Sequence, residues 1–294
     1  MSVQQDSSQT TGVAPKQGRR FLSSLRSLYD RPVTAFGTSV FLLFVFLAVT
    51  GPWLAPYESN EQIYTDARQP PSTEHWFGTD HLGRDVFSRV LYGSREVLLE
   101  AGVGTILAVL CGMAFGLIAG YRRGWIDEIL MRFFDSLLAL PALLLALLLL
   151  GTVGRSRYSV LIVIVIVYTP IVARVARSVV LSVREKAFVE AAQIQGESSM
   201  RIMFREILPS VMPALTVEGA LRFSYAIFLV ASLGFLGVGV QPPSPNWGLM
   251  VAEARPHVTQ LPWSLFFPAA AIALLVIGVN LMADGIKRTL MGGR

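Results

Sequence analysis

The stretch "GTDHLGRD", residues 78–85, sets His81 between Asp80 and Asp85 with Arg84 beside them, a composition suited to a metal centre or a hydrolytic site. A tetrahedral metal site draws further imidazole or thiolate ligands at matched spacing, and no second histidine is placed to complete one. No nucleophile and base are paired nearby either. Gly78 and Gly83 suit tight turns, and Arg84 is placed to pair with either aspartate. These residues are therefore read as a structured lip. Glu218 and Arg222 form a second charged set inside an apolar run. Their i, i+4 spacing puts both on one helical face, either as a structural ion pair or as the lining of a polar path. Signatures of other chemistry are missing from the sequence: it has no G-x-x-x-x-G-K-S/T phosphate loop, no H-E-x-x-H, and no Ser–His dyad or paired aspartates within its apolar runs. The chain is expected to bind neither ATP nor a metal, and an intramembrane enzyme is disfavoured.

The other conspicuous polar stretch is "FVEAAQIQGESSMRIMFREILPS", residues 188–210. Met200, Met203, Phe204, Ile207 and Leu208 recur at i, i+3, i+4, i+7, i+8, one face of a helix, with Arg201, Arg205 and Glu206 opposite. Upstream, Val183, Ala187, Phe188 and Ala191 form a second apolar stripe. Gly196 supplies the permissive backbone for a turn between two short helices, and Pro209 is expected to stop the second before the next apolar run. An amphipathic hairpin with a Met- and Phe-rich face either packs on its own protein, lies on a membrane, or enters a partner's groove.

The elements that must hold these residues follow from composition. Hydrophobic residues are 53% of 294 and charged residues only 15%, against about 25% charged in a soluble domain. The mean hydropathy is +0.54. Such a chain has too few charges to cover a globule in water and is predicted to be an all-α polytopic membrane protein. Hydropathy predicts six spans, at 34–54, 97–121, 129–152, 159–180, 211–238 and 264–284. Residues 1–33 read as a polar tail plus a short basic amphipathic helix at the membrane surface, and 34–294 as the membrane domain. Lone Cys111 lies in an apolar run, so it forms no intrachain disulfide, and a net charge of +5 is too small and too evenly spread to imply nucleic acid. Lys and Arg cluster in the N-terminal segment, at Arg122 and Arg123, in the hairpin at about 183–210 and at the C-terminal end, which predicts both termini and the hairpin in the cytoplasm. The segments at about 55–96 and 239–263 then lie outside. Trp76, Asp80, Arg84, Asp85 and Trp247 in them are expected to contact external partners. Arg174 and Arg177 near the end of the fourth span are expected to snorkel, and Pro141 to kink the third.

"EAAQIQG" followed by "ILP" thirteen residues after the glycine resembles the EAA motif of ATP-binding-cassette importer permeases; Glu190, Ala191, Ala192, Gly196, Leu208 and Pro209 match it, while Glu206 stands where the pattern has an apolar residue. "FGTDHLGRDVFSR", "RFFDSLLALPALLLAL", "SLGFLGVGVQPPSPNWG" and "NLMADGIKR" are similar to the second permease subunit of peptide and nickel importers. The resemblance implies the type I importer permease fold in a bacterial inner membrane, working by alternating access as half of a heterodimeric pore with a sister permease. It implies two nucleotide-binding subunits that use ATP and Mg2+, an extracytoplasmic substrate-binding protein, and no cofactor on this chain. The hairpin becomes a coupling element docking through Phe188, Met203 and Phe204, with Glu190 and Gly196 setting its shape. Short peptides are the implied cargo, with nickel chelates, glutathione or haem as alternatives and a passive channel as the rival class.

Overall fold

The computed structural model describes residue 29 and residues 31–291, so the predicted tail and surface helix lie almost wholly outside the described residues. The described chain is helical, with only an isolated bridge between Thr79 and Asp85 as β structure. Its helices are α1 (Pro32–Leu54), α2 (Val86–Arg122), α3 (Gly124–Leu138), α4 (Ala142–Val153), α5 (Arg157–Arg184), α6 (Ala187–Ile194), α7 (Ser199–Phe235), α8 (Trp247–Ala254) and α9 (Pro262–Met291). Among the described residues, α1, α2, α5, α7 and α9 are each long and apolar enough to cross a membrane, and the bent pair α3–α4 brings the spans to six.

Four predictions about the elements change. The second span begins at Val86 rather than at 97, because Asp85 caps the helix by accepting from the Ser88 N–H at 2.7 Å. The third span is not one helix at 129–152 but α3 and α4, bent by 93° at the break. Pro141 enforces it, since it has no N–H to give to the preceding turn and its ring clashes there. Pro209 does not stop the second hairpin helix. It occupies the first turn of the following helical segment, where its missing N–H is tolerated, and a π-helical stretch over Ile202–Ile207 carries the hairpin into the span. Lastly, Arg174 and Arg177 do not snorkel but reach across to aspartates of α3.

The α2–α5 pair is the spine of the bundle. Gly104, Gly112, Gly116 and Gly120 form one stripe on α2, and a Cβ built at any of them would fall within 2.4–2.8 Å of Ile164, Val172, Ala176 or Val180 on α5. In a bilayer the surrounding lipid is as apolar as the side chains, so association depends on close packing, and small residues permit it. Two buried clusters result. One lies toward the end carrying residues 55–85 and 239–261, called here the cap. The other lies toward the hairpin and joins Leu117, Val172, Ala176 and Val180 to Val189, Ala192, Ile202 and Ile207.

Candidate functional site

At the hairpin end, α6 and the first turns of α7 meet at Gly196, whose φ of +75° is the left-handed conformation that glycine adopts without penalty. The inner faces of both arms are buried: Val189 and Ala192 on α6, and Ile202, Met203 and Ile207 on the π-helical stretch, pack against α2, α5 and the base of α7. Met203 is 3% exposed, so it is part of the anchor and not of an outward face. The helical wheel placed it beside Phe204. The wider π turn shifts the register of every side chain through it, and periodicity at 3.6 residues cannot anticipate that. Phe188, Ile194, Met200 and Phe204 are the large apolar side chains left exposed on the hairpin. Glu190 and Ala191 are also exposed, Ala192 is buried, Leu208 is half-buried and Pro209 is exposed. The hairpin therefore has a welded inner side and an apolar outer side.

At the cap, the residues expected to meet partners are turned inward instead. Arg84 is 2% exposed, donating from Nε to Asp80 at 2.6 Å and from a terminal nitrogen to Glu253 of α8 at 2.7 Å. Asp80 also accepts from the backbone N–H groups of Leu82 and Arg84. Asp85 is consumed by its cap and by His75, whose Nδ1 lies 3.0 Å away. Arg89, also buried, donates to the carbonyls of Ser59 and Ser244. Trp247 is fully buried: its Nε1 donates to the Val90 carbonyl at 3.0 Å, and its ring lies where a side chain on Gly93 would be. The reason is common to all of them. Buried polar groups must be satisfied, and these guanidinium and indole donors find carboxylates, the loop carbonyls of Ser59 and Ser244 and the helical carbonyl of Val90. Of the proposed contact residues, Trp76 alone remains well exposed among the described residues, at 59%. His81 stacks on His257 with ring centroids 4.8 Å apart, and no group of three or more metal-ligating side chains gathers among the described residues.

Ion pairs lie within the spans as well. Glu218 and Arg222 approach to 2.8 Å, as their spacing implied, with the Arg222 guanidinium over the rings of Tyr168 and Tyr225. Both side chains are largely covered, at 12% and 16% exposure, so the pair ties α7 to α5 more than it lines a surface. Arg177 grips Asp127 through two bonds, and Arg174 pairs with Asp135. A further set escaped the sequence reading. Glu100 on α2 is buried and receives Arg157 from the start of α5 at 3.2 Å, while Glu96 binds Arg157 at 3.0 Å and accepts from the Ser244 hydroxyl. The available signal was two carboxylates at i, i+4 at the mouth of a predicted span, opposite an arginine at the mouth of another.

Comparison with known proteins places this geometry. Residues 112–291 match the family described as "Binding-protein-dependent transport system inner membrane component", and residues 21–71 match "N-terminal TM domain of oligopeptide transport permease C". The chain is 38% identical over 282 residues to the dipeptide transport system permease protein of Alkalihalophilus pseudofirmus, covering 96% of this chain and 91% of the relative. It is also 38% identical to a probable D,D-dipeptide transport system permease protein of Escherichia coli strain K12, covering 96% of this chain and 95% of the relative. The glutathione transport system permease protein of Pectobacterium atrosepticum shows 38% identity over 90% of this chain and 88% of the relative.

Proposed function

Because the chain belongs to the family of binding-protein-dependent transport system inner membrane components, we propose that it is the membrane subunit of an ATP-driven importer that moves short peptides across a bacterial inner membrane. The relatives named for dipeptides, D,D-dipeptides and glutathione all carry short peptides, which supports that cargo over nickel chelates or haem. A sister permease completes the path, an extracytoplasmic binding protein delivers the peptide on the cap side, and two nucleotide-binding subunits bind ATP and Mg2+ on the hairpin side. The basic residues at the hairpin end, Arg122, Arg123, Arg184 and Arg201 among them, support a cytoplasmic placement of that end.

The observation that carries the mechanism is the two-sided hairpin. Phe188, Ile194, Met200 and Phe204 stand out from the bundle at an end where charges dominate, an apolar surface suited to a partner's groove. Behind them, Val189, Ala192, Ile202 and Ile207 are packed into α2, α5 and α7. A nucleotide-binding subunit that holds the outer side and moves on ATP closure drags the inner side, and the spans turn with it. A passive channel has no use for such a surface.

Gly196→Pro tests this. Proline cannot adopt φ of +75°, so the turn is rebuilt, while no atom within 4 Å of the glycine's missing Cβ ties the turn to the spans. The variant complex is expected to insert and hydrolyse ATP without importing peptide. Normal import by Gly196→Pro would remove the coupling assignment.

A further inference from the structure

Among the described residues, two ion pairs join α5 to α3, and Arg174–Asp135 is the open one: its side chains are 54% and 59% exposed, against 31% and 13% for Arg177–Asp127. Its depth makes that exposure informative. Arg157 and Arg184 mark the two ends of α5, and at 1.5 Å per residue Arg174 lies about 15 Å from Arg184 along the axis. For a hydrocarbon core of ~30 Å centred on this helix of ~40 Å, that is roughly 10 Å inside the apolar layer. A charge facing lipid there costs about 2.5–3.5 kcal/mol, and Asp135 shares the position, so a half-exposed pair at this level needs water beside it.

The surroundings agree. Arg174, Ser178 and Ser182 recur at i, i+4, i+8 on α5 and are all exposed, and Ser182 and Lys186 open into a groove of about 360 Å³ between α5, the start of α7 and the end of α9. Both serine hydroxyls donate to carbonyls of the preceding turn, leaving their oxygens free to accept. Exposed Arg132 and Glu128 continue the polar strip along α3, one and two turns before Asp135. Elsewhere on the bundle the exposed surface of α1 and α2 is greasy, with Leu43, Phe46, Leu107 and Leu110 outward.

We infer that the strip Asp135–Arg174–Ser178–Ser182 is a wall of the water-filled translocation path in the hairpin half of the membrane, and that it receives the charged ends of a zwitterionic peptide. This rests on the peptide-importer reading and names the residues that would serve it. Arg174 matches a carboxylate through its planar fork, Asp135 matches an ammonium, and the pair closes on itself when no peptide is present. The 93° bend at Pro141, six residues beyond Asp135, takes α4 off the α3 axis.

The test uses the assembled transporter in membrane vesicles, with Ser178→Cys and Ser182→Cys each placed in a Cys111→Ala background and Leu43→Cys as the lipid-facing reference. A charged, water-soluble thiosulfonate reagent is expected to label both serine positions on the order of tenfold faster than position 43 or more. Alanyl-alanine supplied with binding protein and ATP should slow that labelling. Arg174→Gln is expected to raise the KM for alanyl-alanine several-fold, and Arg174→Lys, which keeps the charge, to restore it in part. Labelling no faster than at position 43, or short-range cross-linking of Ser178→Cys to the sister permease without aqueous labelling, overturns the inference. If the parental complex fails to import alanyl-alanine, the peptide reading falls, and the labelling rates still decide whether the wall is wet.

Discussion

Single buried side chains at the cap hold together loops that have no sheet to support them. Trp247 is the plainest case, filling the space left by Gly93 and meeting Phe44 edge-on at 5.5 Å. Trp247→Ala is expected to cost about 3–5 kcal/mol, from the lost contacts and the cavity left behind, read as a lower melting temperature of the solubilised protein. His81 brings pH into the same region, where Asp80, Arg84, Glu253 and His257 all face it. Burial is the main cause holding its imidazole below the ordinary 6.5, and the nearby carboxylates offset this only in part. The unfolded chain then takes up the proton first as pH falls. Cap stability is complete above pH 6.5 and declines below it, until the folded-state imidazole protonates too. His81→Gln is expected to flatten that decline when melting temperatures are compared at about pH 7.5 and about pH 5.5. An equal decline in the variant would assign the effect elsewhere.

Among the elements, α2 and α5 carry the heaviest packing requirement. Gly116 leaves no room for a Cβ, which would fall 2.4 Å from that of Ala176 and 2.6 Å from the Ala173 carbonyl oxygen. Gly116→Val is expected to push the two helices apart at a cost of about 1–3 kcal/mol, lowering the yield of folded protein. Gly102→Ala, where the nearest atom lies 3.8 Å away on Phe223, should be silent by the same measure. The hairpin is the opposite case. Its arms are short, so its geometry is inherited from the spans it is packed against, and the proposed coupling role relies on that dependence.

The whole molecule presents two chemically different ends to the two sides of the membrane. The hairpin end carries unpaired apolar surface amid basic residues, whereas the cap holds a buried, internally paired set of charges around Asp80, Arg84 and Glu253 beneath an exposed rim that includes Glu58, Glu61, Arg68 and Glu74. On the proposed reading, the excess of Lys and Arg puts the hairpin end on the cytoplasmic side. In a Cys111→Ala background, a membrane-impermeant maleimide applied to spheroplasts should label a cysteine at exposed Trp76 and leave one at Glu197 unlabelled until the membrane is opened. Labelling at 197 in intact spheroplasts would invert the topology. Trp76 and Tyr64 are large side chains of the cap that remain exposed, at 59% and 72%.

Much of this was legible in the sequence because the bilayer is a severe solvent. It demands long apolar helices with satisfied backbones, so the spans, the polar hairpin between the fourth and fifth, and the turn at Gly196 could be read from composition and spacing. The Glu218–Arg222 contact followed as well, since i, i+4 neighbours meet in any helix. What the sequence could not decide was which face of each element would be covered. Trp247, Asp80, Arg84 and Met203 have types that suit a partner surface, and each found its partner inside the chain, across as many as 169 residues for Arg84 and Glu253. Pro141 announced a kink but not its 93°, and nothing local told Arg174 that Asp135 would stand beside it in the open. Those outcomes depend on how distant helices cross, which is set by close packing over the α2 glycines and by the buried charges of the cap, and only the folded chain brings them together.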